Sequence, residues 1–194
     1  DEAVAVDDAP TVVRFPKGEV GADLPALERL ADGTDVLARG ASEDVLLVGI
    51  GPMAHIAMDV AERLAAQGIG ATVIDPRWVV PVTPSVVEFA SRHRLVITIE
   101  DGIRVGGIGT RIRQVLREAG VDTAVDELGL PDEFIPHASR AQILADAGLT
   151  APKIAQDVVS QVLGTRIPVA RQPDEQPVWL SDVRLRERDD TRGA

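Results

Sequence analysis

Along this chain, short runs of consecutive apolar residues alternate with stretches where apolar residues recur every three or four positions. That is the rhythm of buried strands and amphipathic helices. TVVRF at 11–15 is a short extended run stopped by Pro16 and Gly18. After a polar link, DVLARG (35–40) and DVLLVGI (44–50) predict two strands, and the Gly, Ala, Ser and Glu between them fit a hairpin. Ile56, Val60 and Leu64, with Ala57 and Ala61, then mark an amphipathic helix over 54–67 closed by Gly68.

ATVID (71–75) predicts the next strand. Thr83 and Pro84 make an N-cap and first-turn pair for a helix over 84–93, whose buried stripe is Val86, Val87 and Ala90. The β-branched LVITI (95–99) predicts a central strand. A helix over 107–119 follows, with Ile108, Ile112, Val115, Leu116 and Ala119 inward and Arg111, Arg113, Arg117 and Glu118 outward. TAVDEL (123–128) is a weaker strand, and 139–147 and 152–163 predict two closing helices. Strands alternating with helices imply an α/β fold: a three-layer domain over 40–165 with a mostly parallel sheet, right-handed crossovers and helices on both faces.

Composition narrows this picture. The 194 residues suffice for one sizeable core. Aromatic residues make up only 3% and Tyr is absent, so the core must be built from Val, Ile, Leu and Ala, the usual filling of a covered sheet. Beyond Gly164 the periodicity stops. The segment 166–194 holds three prolines and 12 charged residues, reads as a disordered tail, and offers Trp179 with Val178 and Leu180 as its one apolar patch. Its six arginines balance six acids, so the net charge of −11 is carried by the first 165 residues. Such a charge argues against nucleic acid as a partner, because phosphate-backbone affinity needs clustered Lys and Arg. The absence of cysteine removes disulfides, thiolate zinc sites and cysteine nucleophiles, in keeping with a cytoplasmic location. Neither an apolar run of membrane-spanning length nor a basic-then-apolar leader is present. A start on DEAVAVDDAP without Met is expected of a processed form or a piece of something longer.

Candidate chemistry lies in two glycine-rich strand-to-helix turns. Gly49, Gly51 and Ala54 fit the G-x-G-x-x-G/A dinucleotide pattern, and Asp75 sits about where a ribose-binding carboxylate belongs. Against that reading, Pro52 removes an N–H from a loop whose purpose is to present N–H groups, and no residues remain for a substrate domain. The bland alternative is a glycine-assisted tight turn. The second turn, EDGIRVGGIGTRI (100–112), offers Glu100 and Asp101 as an acid/base pair or metal site, or else as helix caps and solvated acids. His55, His93 and His137 are dispersed without metal-ligand spacing, and His137 reads as a capping or packing residue. There is no G-x-S-x-G nucleophile elbow. A self-contained active site is therefore not expected, and the domain looks built to pack against something.

Four stretches, in order, carry a resemblance: TVVRFPKG, VIDPRWVVPVTP, ITIEDGIRVGGIGTRI and LGLPDEFIPHASRAQILADAGLTAPKIA. Together they resemble the carboxyl-terminal part of the 1-deoxy-D-xylulose-5-phosphate synthase family, over about residues 10–163. The most specific elements are R-F-P-K-G at 14–18, D-P-R-W-V-V-P at 75–81 and G-L-P-D-E-F-I-P-H at 129–137. The broader transketolase family shares a looser version of the turn at 100–109.

The resemblance implies a transketolase C-terminal-like domain over 40–165. It is preceded by the end of a pyrimidine-binding domain (1–20) and by a linker with the first edge strand (21–39), and is followed by the tail. It also implies a homodimeric, thiamine-diphosphate- and Mg²⁺-dependent transferase that joins pyruvate to D-glyceraldehyde 3-phosphate with release of carbon dioxide, for isoprenoid, thiamine and pyridoxal synthesis. This piece would be inactive alone, bind neither cofactor nor metal, and serve packing with the remaining domains. Carried over residue by residue, the family's phosphate-binding arginine falls on Lys17, which keeps the charge and loses bidentate geometry. Arg14 would support the same turn. Three other readings remain: the terminal domain of a 2-oxo acid dehydrogenase β-subunit, a nucleotide-binding module, and a stand-alone scaffold.

Overall fold

The computed structural model describes residues 2–16 and 21–164. Lys17, Gly18 and the expected tail at 166–194, with Trp179, lie outside the described residues.

The centre of the fold is β3 (Val45–Gly49), all five residues of which are buried. Val45 and Leu47 pack into one apolar cluster while Leu46 and Val48 pack into another. A strand buried on both faces reads as a continuous apolar run, which is why VLLVG shows no alternation. Parallel neighbours flank it: β4 (Ala71–Asp75) on one side, and β5 (Leu95–Ile103) followed by β6 (Ala124–Leu130) on the other. Two antiparallel strands, β2 (Asp35–Ala38) and the two-residue β1 (Glu28–Arg29), complete a six-stranded sheet in the order β1-β2-β4-β3-β5-β6.

Helices α2 (Ala54–Ala65), α5 (Arg140–Asp146) and α6 (Ala151–Val162) cover one face, through Ala57, Val60, Leu64, Leu144, Ile154 and Val158. Helices α3 (Pro84–Arg92) and α4 (Ile108–Glu118) cover the other through Val86, Phe89, Ala90, Ile112 and Leu116. Helix, sheet and helix form the three layers expected, with Val, Ile, Leu and Ala as their filling.

One local expectation fails. The hairpin between the strands at 35–40 and 44–50 does not form, because β4 occupies the place between them, pairing Asp35 with Asp75 and Val36 with Ile74. The central strand takes parallel partners on both edges and leaves the antiparallel strand outside β4. The connection between β2 and β3 instead crosses beneath β4, and it passes so close that a Cβ on Gly40 would strike Gly70 and Ala71. The short run at 11–15 joins no sheet. Val12, Val13 and Phe15 are 84%, 65% and 82% exposed and pair with no sheet edge. The segment instead begins with α1 (Glu2–Ala5), and Thr11 Oγ1 donates to the Ala3 carbonyl at 2.9 Å.

Candidate functional site

Open α/β sheets place ligands outside the carboxyl ends of their strands, at the point where strand order reverses. Here that point lies between β3 and β5, and both glycine turns meet it. After β3 the chain makes a 3-10 turn at Gly51–Met53 and enters α2 directly. A Cβ on Gly49 would lie 2.6 Å from Ala54 Cα and 2.9 Å from Ala57 Cβ, so the glycine is what lets the helix press against the strand. Gly51 has φ +56, the left-handed region that glycine enters freely. Its N–H donates to Asp75 Oδ1 at 3.3 Å, and the same oxygen accepts the Arg77 N–H at 3.0 Å. The carboxylate that a ribose would need thus takes up the N–H that a phosphate would need.

The second turn is filled in the same way, and more deeply. Glu100 is buried; its Oε2 accepts the Ile108 N–H and its Oε1 the Gly109 N–H, each at 3.0 Å. These are orphan donors at the amino end of α4, where a carboxylate also complements the helix dipole. Gly107 and Gly109 give it room: a Cβ at either would meet Glu100, or Thr98 and Glu127. Behind the turn, buried Glu127 takes the Arg113 guanidinium at 2.7 Å and the Thr110 hydroxyl at 3.0 Å. Asp101 does not join Glu100 as an acid/base pair. It pairs with Arg140 at 2.7 Å, tying the end of β5 to the start of α5, and the Arg140 guanidinium reaches Met53 Sδ at 4.0 Å. Glu100 thus forms the helix cap, one of the alternatives open to it, whereas Asp101 forms an ion pair that was not among them.

The histidines stay apart. His55 lies against Gly21, with Nε2 3.2 Å from the position of a Cβ there. His93 is buried and its Nδ1–H donates to the Phe89 carbonyl at 2.7 Å, closing α3. His137 is exposed and does not cap a helix, contrary to expectation; Ser139 Oγ does so, accepting the Gln142 N–H at 3.2 Å. Among the described residues no three His, Cys, Asp or Glu side chains are grouped to hold a metal. A shallow hollow of about 300 Å³ lies between β2, β4 and α2, lined by Ala38, Met58, Ala65 and Ile69, away from both glycine turns.

Two features escaped sequence reasoning because they join distant positions. Thr83 stands at the N-cap of α3 but its hydroxyl is 3.0 Å from that of Thr34, and the cap is supplied from outside: Asp32 Oδ2 accepts the Ser85 N–H at 2.9 Å. The second is a charge cluster at the β2–β4 edge. Arg29 grips Asp35 with both Nε and Nη2, at 2.7 and 2.8 Å, and Arg77 lies 3.7 Å from the same carboxylate and 3.0 Å from Glu2. Burial raises the Asp75 carboxyl above its ordinary value despite the two N–H groups it accepts, and the facing Asp35 adds to the rise. Of the two residues expected to bind phosphate, Arg14 is exposed, with no acid paired to it among the described residues, and Lys17 lies outside them.

A family model described as "Transketolase, C-terminal domain" matches residues 34–154. The chain belongs to the transketolase C-terminal domain family. Curated relatives of this transketolase-type chain carry the name 1-deoxy-D-xylulose-5-phosphate synthase. Those from Leifsonia xyli subsp. xyli (strain CTCB07) and Clavibacter sepedonicus are each 69% identical over 170 residues, 88% of this chain and 26% of the relative. The chain thus spans about a quarter of the length of the relatives it matches. Among solved structures, a split-gene transketolase described as an inactive beta4 tetramer aligns over 77% of this chain and 48% of its own, at 29% identity and TM-score 0.62. A transketolase from Pichia stipitis aligns over 73% of this chain and 19% of its own, at 17% identity and TM-score 0.51, a likeness of fold alone.

Proposed function

We propose that this transketolase C-terminal domain is part of a thiamine-diphosphate- and Mg²⁺-dependent 1-deoxy-D-xylulose-5-phosphate synthase. The whole enzyme joins pyruvate to D-glyceraldehyde 3-phosphate, releases carbon dioxide, and works as a cytoplasmic homodimer. The observation that carries this reading is the 69% identity to synthases of that name across 88% of the chain. The described residues do not fit the cofactor or its metal. The N–H groups of both glycine turns belong to the protein's own carboxylates, and no metal-binding group of three acids or histidines is formed among the described residues. In this reading both ligands are held by the rest of the enzyme. The part played here is to pack, supporting the dimer and the substrate turn at 14–18.

In this reading residues 1–20 end the pyrimidine-binding domain, 21–39 link it and add the first edge strand, 40–165 are the terminal domain, and 166–194 form a tail. Lys17, aided by Arg14, binds the phosphate of the aldehyde. The test is to assay the full-length enzyme with both substrates, cofactor and Mg²⁺, beside the 194-residue chain alone. Synthase turnover is expected in the first and none in the second. Lys17→Ala should raise the KM for the aldehyde phosphate on the order of ten-fold or more, the loss of one charge-assisted hydrogen bond. Oxidative decarboxylation with a lipoyl partner, or NAD binding by this chain in titration calorimetry, overturns the proposal. Deleting 45–165 should abolish the dimer, and a fully active dimeric truncation refutes the packing role.

A further inference from the structure

Most of the large apolar side chains left in water among the described residues form two groups, at opposite edges of the sheet. Val4, Val12, Val13, Phe15 and Leu27 belong to the segment before β2, which Glu2 ties to Arg29 of β1 at 3.6 Å. Ile103, Val105, Phe134 and Ile135 stand at the carboxyl ends of β5 and β6, 51%, 64%, 105% and 38% exposed. The second group is one surface. Ile103 pairs with Leu130 across the end of the sheet, and the Arg104 N–H donates to the Leu130 carbonyl at 2.9 Å. The loop 131–139 leaves from there and returns to the same strand, because Arg140 at its far end binds Asp101 at 2.7 Å. Phe134 and Ile135 are therefore held beside the last residues of β5. None of the four enters either core cluster. Contiguous exposed apolar surface of this kind marks an interaction site.

Position and charge decide what covers it. In the function proposed above, the upstream domains join through residues 1–20, at the β1 edge. β1 and β6 are the outer strands of six, roughly 24 Å apart at the usual strand spacing. The first apolar group thus faces the upstream domains of the same chain, and the second is left for another body. Its rim carries both signs: Arg104 lies between Ile103 and Val105, and Asp132 and Glu133 precede Phe134, all exposed and in no ion pair among the described residues. An apolar centre with opposite charges at its rim is complementary to itself, as an isologous two-fold contact requires.

We propose that Ile103, Val105, Phe134 and Ile135 form the contact of this domain with a second copy of the chain, each copy's Arg104 facing the acids at 132 and 133 of the other. The inference rests on the homodimer proposed above and names a surface that makes it.

The test is the dimer dissociation constant of the full-length enzyme, measured by fluorescence-detected sedimentation over a dilution series. Phe134→Glu and Val105→Glu should each raise it at least about thirty-fold, because each removes an apolar anchor and puts an unpaired carboxylate in a dry contact. Neither side chain enters the core, so the thermal midpoint of the 194-residue chain should not move. Arg104→Glu should weaken the dimer about ten-fold, and adding Asp132→Lys with Glu133→Lys should restore it, since reversed charges on both sides face opposite ones again. A dissociation constant unchanged in Phe134→Glu and Val105→Glu overturns the proposal. So does a lower unfolding midpoint of the full-length variants with the dimer intact, which would put an upstream domain of the same chain on this surface. A parent enzyme that sediments as a monomer at every concentration defeats the proposed homodimer, and this surface with it. A parent dimer without synthase turnover defeats only the proposed reaction and leaves the dissociation constant to decide the surface.

Discussion

Glu100 Oε1 accepts the backbone N–H of Gly109 at 3.0 Å, from the strand before the glycine turn to the helix after it. With Ile108 on the other oxygen, one buried carboxylate satisfies two orphan donors of α4. Glu100→Ala should therefore cost about 2–3 kcal/mol, since a buried donor is left without a partner and a charge-assisted bond is lost. The midpoint of urea unfolding measures it. A midpoint unchanged in the variant would mean that water serves the helix end equally well.

The two glycines of the first turn are open to separate tests. Gly49→Ala puts a methyl group 2.6 Å from Ala54 Cα, a contact only backbone movement can relieve, and overpacking of this kind costs about 1–3 kcal/mol. Gly51→Ala meets nothing within 4 Å and pays only for its φ of +56, about 1 kcal/mol. Thermal unfolding of both variants should rank them in that order.

Asp32 caps α3 from a loop about fifty residues upstream. Burial pushes its carboxyl up, but the hydrogen bonds from Ser85 and Thr34 outweigh burial and leave it below the ordinary value. A lowered folded pKa means stability that is present above the unfolded pKa and lost as pH falls through the folded one. Asp32→Ala should cost about 1–2 kcal/mol at neutral pH. Measured by urea unfolding at a series of pH values, the difference from the parent should shrink through the acid range.

Asp75 behaves oppositely. Burial, the largest influence, raises its carboxyl, and Asp35 opposite adds to this, while the backbone N–H groups of Arg77 and Gly51 and the charge of Arg77 oppose it. A raised folded pKa means that the group's contribution is complete below the unfolded pKa and is lost as pH rises through the folded one. Asp75→Asn keeps an acceptor for both N–H groups without the charge. It should unfold at higher urea than the parent at neutral pH, with the advantage vanishing in acid.

The strands expected at 71–75 and 95–99, the helices expected over 54–67 and 107–119, which form over 54–65 and 108–118, and the three-layer architecture were all legible in the chain, because burial on one or both faces imposes a period that residue types record locally. The family signature was legible for the same reason: turns such as 100–109 and 129–137 demand particular residues at particular spacings. What a strand pairs with is not written in its period. VLA at 36–38 and VLLV at 45–48 look like hairpin arms, and only the need of a doubly buried β3 for a parallel partner on each edge put β4 between them.

The ownership of the N–H groups in the glycine turns was decided in three dimensions as well. Sequence alone left Glu100 as acid, metal ligand or cap, and Asp75 as a ribose ligand or a strand end. Their roles became fixed when folding brought each carboxylate within hydrogen-bond reach of donors 8 to 24 positions away, Ile108 and Gly109 for one and Gly51 for the other. Local composition determines which elements form, through burial and backbone preference. Contacts between positions far apart in the chain determine which polar groups are spent inside the fold, and Asp32 with Ser85, 53 positions apart, is such a contact.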